Sequence, residues 1–220
     1  MILCAGFGSR MLNLTRNTPK PLLKYKNKIL LKNTIDFFTN IGCDEILINT
    51  HYLHHKIKKY LDKNFKKYPI QIIYEKTILG TGGGVKNIFN YTKRNKICVV
   101  NSDIFWTKKN KSHIKNFLSN YQDVSYCKML LSKDINFLGL KKENGDFNLK
   151  RNVVINWKSK NEKLYYSGLQ IVSKNIFNNR KKIFSMNEIW TKLIKKHQIQ
   201  GYVIPSKIRH IGDKKSILEN

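Results

Sequence analysis

Gly6-Phe7-Gly8-Ser9-Arg10 follows the short apolar run Ile2-Leu3-Cys4. Two glycines lacking Cβ atoms let backbone N–H groups approach a phosphate chain closely, and Arg10 and then Lys20 bring positive charge within reach of it. Lys20 stands between Pro19 and Pro21, whose rings fix φ and keep the chain extended, so its side chain projects from a rigid stem. These residue types serve phosphate handling: fixed donors and cations gathered around a strongly anionic reactant. Two common glycine motifs are excluded. A dinucleotide fingerprint needs a third glycine where Met11 stands, and a P-loop needs Gly-Lys followed by Ser or Thr.

Three further groups carry candidate chemistry. Asp103 ends the apolar run Ile97-Cys98-Val99-Val100, where a carboxylate is a hard oxygen ligand suited to Mg²⁺. Thr81, Gly82 and Gly83 open a glycine-rich turn into a helix, read either as a base and phosphate loop or as a helix start packed closely. Glu75, just before that turn, either accepts from a base N–H or stays solvated. His51, His54 and His55 have no cysteine or carboxylate at ligand spacing and read as a solvated helix start rather than a metal cluster. Trp106, Tyr165 and Tyr166 either stack on a sugar ring or belong to the core.

The stretch from Ala5 through Leu23 resembles the signature Gly-x-Gly-Ser/Thr-Arg-x-x-x-Leu-Thr-x-x-x-Pro-Lys-Pro-Leu of the sugar-1-phosphate nucleotidyltransferases, with Asn13 where that family usually has proline. Asn49-Thr50-His51-Tyr52-Leu53, Leu79 to Gly84 and Val100-Asn101-Ser102-Asp103 resemble its later motifs. Tyr166 to Ile171 and Phe184 to Trp190 are most similar to the short, single-domain branch that includes uridylyltransferases acting on N-acetylmuramate 1-phosphate. The resemblance implies that a sugar-phosphate oxygen attacks the α-phosphorus of a nucleoside triphosphate and pyrophosphate leaves. It implies that Gly6, Gly8 and Ser9 cradle the triphosphate, that Arg10 holds its leaving end, that Lys20 sits at the α-phosphate and that Asp103 holds Mg²⁺, with Mn²⁺ the alternative. Gly168 falls on the sugar side. The lysine that meets the sugar phosphate in the family corresponds to Lys158, with Lys163 its rival. Near the C-terminus the family has an aspartate that shares the metal; the matching segment Arg209-His210-Ile211-Gly212-Asp213 puts His210 there, either as a ligand or as a hydrogen-bond donor to phosphate.

The elements that must position these groups alternate. The pattern predicts strands at 2–4, 45–49, 70–74 and 97–101 and helices at 30–41, 52–65, 82–91 (capped by Thr81) and 112–120. Such alternation implies an α/β fold of Rossmann-like type with a mostly parallel sheet and ligands at the carboxyl ends of its strands. From Val124 strands dominate, through 129, 138–140, 153–157 and 165–172, before a helix at 187–196 and a strand at 202–204, and this half is expected to carry the sugar.

The 220 residues carry 42 Lys and Arg against 14 Asp and Glu, a net charge of +28. Only six of the basic residues are arginine and most lysines fall on helix faces, so the charge reads as solvated surface rather than a nucleic-acid interface. Cys4, Cys43, Cys98 and Cys127 lie far apart and read as small core residues. With no stretch of about 18 apolar residues, the expectation is one cytoplasmic nucleotidyltransferase domain over 1–220, making an NDP-sugar from UTP and N-acetylmuramate 1-phosphate or from GTP and mannose 1-phosphate. A nucleotide-sugar binder that has lost its metal site and a basic nucleic-acid module are the competing classes.

Overall fold

The structure, a computed structural model, describes residues 1–139, 144–157 and 163–218. Its first half alternates strand and helix: β1 (Ile2–Cys4), the hairpin β2 (Lys24–Tyr25) and β3 (Lys28–Ile29), α1 (Leu30–Thr39), β4 (Ile46–Thr50), α2 (His54–Asn64), β5 (Ile70–Tyr74), α3 (Gly80–Ile88), β6 (Lys96–Asn101), β7 (Ile104–Phe105) and α4 (Lys111–Ser119). Strands then dominate: β8 (Cys127–Lys133), β9 (Phe137–Leu138), β10 (Phe147–Lys150), β11 (Val153–Trp157) and β12 (Leu164–Ser173), followed by α5 (Met186–Ile194), β13 (Ile199–Ile204), β14 (Ile208–His210) and α6 (Lys214–Leu218).

The main sheet runs β10-β11-β13-β8-β12-β6-β1-β4-β5. Its N-terminal half, β6-β1-β4-β5, is parallel throughout, because each strand is followed by a helix that crosses over the sheet. The second half is mixed: β12 runs antiparallel to both β6 and β8, while β13 joins β8 in parallel. The fold is the expected α/β class, with its parallel character concentrated where the glycine loop leaves the sheet.

Apolar stripes decide which face each helix takes. Leu31, Ile35 and Phe38 of α1, Ile57 and Leu61 of α2 and Ile114 and Phe117 of α4 share one core, whereas Val85 and Ile88 of α3 and Ile189, Trp190 and Leu193 of α5 share the other. Trp106 lies in the first core, stacked 5.3 Å from Phe37, and Tyr165 is fully buried beside Phe137, so neither can stack on a sugar. Cys4 and Cys127 are buried as expected, but Cys43 is exposed. Burial pushes the Cys4 thiol up to about 12, leaving it a small apolar group at neutral pH. No helix among the described residues is long and apolar enough to cross a membrane.

Two helix starts differ from the pattern. α2 begins at His54 rather than Tyr52, because Leu53 takes a left-handed φ of 49° and Tyr52 turns back to donate its hydroxyl to the carbonyls of Thr15 and Arg16. α3 begins at Gly80 rather than Gly82, and Thr81 does not cap it: its hydroxyl accepts from Met186 N at 2.9 Å. The same segment explains the glycines. The N–H groups of Gly82 and Gly83 both donate to Phe184 O at 3.1 Å, and a Cβ on Gly83 would lie 2.3 Å from Lys182 O.

That contact reverses an ordinary expectation. In an open helix Gly→Ala gains up to about 1 kcal/mol, but a methyl forced against a backbone carbonyl costs about 1–3 kcal/mol through displaced neighbours. Gly83→Ala is therefore expected to lower the denaturation midpoint; a raised midpoint would show that the 182–186 segment yields freely.

Candidate active site

The carboxyl ends of β1, β4 and β6 open onto a cavity of about 350 Å³, walled on one side by the glycine loop and on the other by the start of α3. Nothing lies within 4 Å of the place a Cβ on Gly6 would occupy, so the missing side chain clears space for a ligand rather than for a neighbour. Gly8 has a different task. Its φ of 67° is left-handed, and a Cβ there would come within 3.0 Å of Lys20 Cβ and Thr15 Cγ2. Its carbonyl accepts from Met11 N at 2.8 Å and from Thr15 Oγ1 at 3.1 Å, which winds Ser9–Thr15 into a 3-10 turn and sets exposed Ser9 and Arg10 on the cavity rim.

Lys20 opens a second 3-10 turn, Lys20–Leu22, entered from extended Pro19. Its Nζ donates to Asp103 Oδ2 at 2.5 Å, and both side chains are largely buried, at 12% and 16% exposure. His210 Nε2 approaches the same oxygen at 3.4 Å. The small sheet β7-β14-β9 delivers it there: His210 pairs with Ile104, and Ile211 N donates to Asp103 O at 2.8 Å. The His210 ring lies over residue 212, where a Cβ would be 2.4 Å from Cε1, so that position requires glycine. Burial pushes the Asp103 carboxyl up, but Lys20 charge and the His210 hydrogen bond outweigh it and hold the group well below the usual carboxylate range. With a folded value below the unfolded one, its ionisation stabilises the fold above about pH 4 and the contribution is lost as pH falls below that.

Asp103 Oδ1 is buried with no partner among the described residues, the feature expected where a cation completes a carboxylate. A hard divalent ion fits it. Among the described residues no three His, Cys, Asp or Glu side chains converge as a complete protein cage. The displaced acid Asp213 does not join: Oδ1 accepts from Ser216 N at 2.8 Å and starts α6.

A second cavity, about 260 Å³, adjoins the first and shares Arg10 and Asn101 with it. His210, Gly168, Tyr166, Trp190 and Asn187 are among the residues that line it. Gly168 has φ 80°, and a Cβ there would meet Ile104 Cγ1 at 2.7 Å, so glycine lets β12 pass the Asp103 turn. The Tyr166 ring packs edge-on at 4.8 Å to Trp190, and its hydroxyl is buried without a partner among the described residues. Of Trp106, Tyr165 and Tyr166, it is Tyr166 that lines a cavity.

Gly80 and Thr81 line the first cavity, whereas Gly82 and Gly83, expected to bind substrate, are not among its lining residues and give their N–H groups to Phe184 O. Glu75 also borders the cavity but is 3% exposed, not solvated, and both oxygens are engaged by Asn49 and Leu79. His51 and His54 are held by Glu75 O and the Thr50 hydroxyl rather than solvated. Lys158 lies outside the described residues. Its rival Lys163 is half-exposed, 3.9 Å from Asp134, and borders neither cavity. The residues that sequence reasoning missed, Asn49, Asn187 and Trp190, lie inside motifs it had singled out; only their partners reveal their positions.

The family model for nucleotidyl transferases matches residues 1–135, from β1 through β8 and both loops of the first cavity. The chain belongs to the nucleotidyl transferase family. It is 26% identical over 96% of its length to a D-glycero-alpha-D-manno-heptose 1-phosphate guanylyltransferase of Campylobacter jejuni, covering 93% of that protein. It is 25% identical over 97% to an N-acetylmuramate alpha-1-phosphate uridylyltransferase of Caulobacter vibrioides, covering 91%. The fold is that of HddC from Yersinia pseudotuberculosis, with a TM-score of 0.76 and 21% identity over 99% of this chain and 95% of that one. The α/β class and the sugar-1-phosphate nucleotidyltransferase resemblance both hold.

The geometry makes Lys20 and Asp103 the most exacting test of this transferase. Removing one preorganised charged group costs about two to three orders of magnitude in turnover. Lys20→Ala and Asp103→Asn are each expected to lose that much in steady-state assays while retaining a native circular dichroism spectrum. Near wild-type turnover at saturating substrate and metal would remove the residue from the reaction.

Proposed function

We propose that the protein joins a nucleoside triphosphate to a sugar 1-phosphate, releasing pyrophosphate, with GTP and a manno-configured sugar 1-phosphate as the preferred pair. The observation that carries this reading is the pair of cavities sharing Arg10 and Asn101 on either side of the Lys20–Asp103–His210 cluster. One space suits the triphosphate against the glycine loop, the other a sugar against Tyr166 and Trp190. Their junction is where the phosphates would meet.

The sugar-phosphate oxygen attacks the α-phosphorus in line; the new P–O bond forms as the bond to the β-phosphate breaks, and pyrophosphate carries away the electron pair. The attacking phosphate is already ionised, so no general base is needed. What the protein supplies is position and charge. Gly6, Gly8 and Ser9 offer backbone donors, Arg10 faces the departing end, and Lys20 stands on its proline-framed turn where charge grows at the α-phosphate. A divalent cation, when bound, neutralises phosphate oxygens; Asp103 Oδ1 would hold it, as the orphaned hard donor of the cleft.

Manno-configured guanylyl transfer leads because the Campylobacter heptose 1-phosphate enzyme and several mannose-1-phosphate guanylyltransferases are among the relatives. Uridylyl transfer to N-acetylmuramate 1-phosphate is the second reading, supported by the Caulobacter relative of similar coverage. A matrix of GTP, UTP, CTP and ATP against heptose, mannose and N-acetylmuramate 1-phosphates decides between them. Pyrophosphate is expected only when triphosphate, sugar 1-phosphate and divalent cation are all present. Release that ignores the sugar phosphate would defeat the transferase reading, and release with UTP and N-acetylmuramate 1-phosphate alone would reverse the order.

His210 adds a metal prediction. It stands where the resemblance implies a second carboxylate, and an imidazole favours Mn²⁺ or Co²⁺ more than oxygen does. His210→Asp is expected to lower the Mg²⁺ concentration for half-maximal rate and to shift preference from Mn²⁺ towards Mg²⁺. Identical metal curves for the two proteins would take residue 210 out of the metal site.

A further inference from the structure

A buried carboxylate, with no cationic side chain beside it among the described residues, ties the two walls of the nucleotide cavity together. Glu75 Oε1 accepts from Asn49 Nδ2 at 2.7 Å, and Oε2 accepts from Leu79 N at 3.1 Å, at the first turn of α3. Asn49 Oδ1 in turn accepts from Cys4 N at 3.1 Å, at the last residue of β1 before the glycine loop. The main chain of Glu75 is equally fixed: its N–H donates to Thr50 O at 2.8 Å, and its carbonyl meets His51 Nδ1 at 2.7 Å. Gly84 leaves room for the pair, since a Cβ there would lie 2.9 Å from both Asn49 Nδ2 and Glu75 Oε1.

We infer that Glu75 and Asn49 form a strut that sets the separation of the glycine loop from the α3 loop, and so fixes the nucleotide without touching its reacting atoms. The inference rests on the transferase reading and adds positioning residues to it. Each Glu75 oxygen already serves one donor, Asn49 Nδ2 or Leu79 N, so a base N–H could reach Glu75 only by sharing an oxygen with a link of the strut. The donors converge on the carboxylate, with Cys4 N–H donating to Asn49, Asn49 to Glu75, and Leu79 N–H to Glu75 from the other side. The two loops line one cavity but lie over 70 residues apart in the chain, and a displacement of about 1 Å in a positioned reactant costs on the order of 100-fold in rate.

The polarity of that chain gives the test. A glutamine at 75 has only one acceptor; if it serves Leu79 N–H, its amide faces the Asn49 amide donor to donor, and turning Asn49 over then clashes with Cys4 N–H. Asn49→Asp combined with Glu75→Gln, the double variant N49D/E75Q, exchanges acid and amide and restores every link. The carboxylate moved to position 49 would accept from both Cys4 N–H and the new amide. For E75Q we expect the KM for GTP or UTP to rise tenfold or more, with the sugar 1-phosphate KM within twofold and the melting temperature lowered by a few degrees, as an unsatisfied buried donor requires. N49D/E75Q is expected to return the triphosphate KM most of the way to wild type. Wild-type kinetics in E75Q would overturn the strut, as would a double variant no better than E75Q, which would mean that Glu75 is needed as a carboxylate at that place. Calorimetric titration with GTP and UTP repeats the comparison without turnover. Wild-type protein that binds triphosphate but never releases pyrophosphate overturns the transferase reading while the affinities still judge the strut; wild-type protein that binds neither triphosphate overturns both.

Discussion

The Lys20–Asp103 pair is the interaction on which the site depends, because it joins two parts of the chain that have no other reason to meet at 2.5 Å. Two buried charges gain attraction but lose hydration, and the balance is close to zero unless geometry is good and the remaining valences are used. Here the second oxygen of Asp103 has no partner among the described residues, so the pair is incomplete on its own. Much of the surrounding architecture serves to hold these two groups still. Pro19 and Pro21 fix the lysine stem, β6 and the small β7-β14-β9 sheet fix the aspartate turn, and Gly168 lets β12 pass close behind it.

Such an arrangement explains why the glycine loop, the Pro-Lys-Pro frame and the aspartate were legible before any fold was known. Each depends on local conformation: a left-handed Gly8, fixed φ around Lys20, and a polar residue ending an apolar strand. Helix and strand alternation was legible for the same reason, since apolar stripes at helical spacing mark one face wherever they occur. The mixed half of the sheet was less so. β12 is long, bulged at Tyr166 to Gln170, and paired antiparallel on both sides, and none of that pairing is encoded in its own period.

The local surroundings of Thr81, Gly82, Gly83 and Glu75 were not legible in the sequence because their partners come from elsewhere in the chain. A glycine that opens onto a cavity and one that makes room for a backbone carbonyl look alike in sequence; Gly6 does the first and Gly83 the second, and only the 182–186 segment tells them apart. Glu75 poses the same difficulty. A carboxylate beside a nucleotide loop suggests a contact with the base, and its sequence gives no sign that Asn49 and Leu79 each hold one of its oxygens.

The C-terminal departure follows from the same economy of acidic groups. In a chain of net charge +28, an anionic substrate needs no further attraction from a distance, and the field favours its arrival before any specific contact is made. A second carboxylate beside Asp103 would add a metal ligand, yet it would also place a like charge against a group whose ionisation already relies on Lys20 and His210. With His210 in that place and Asp213 starting α6, the cleft keeps one strongly ionised carboxylate, and the phosphates of the substrate become the natural source of the remaining oxygen ligands. On the proposed reading, metal affinity is tied to triphosphate binding, since no cage of three His, Cys, Asp or Glu side chains is formed among the described residues.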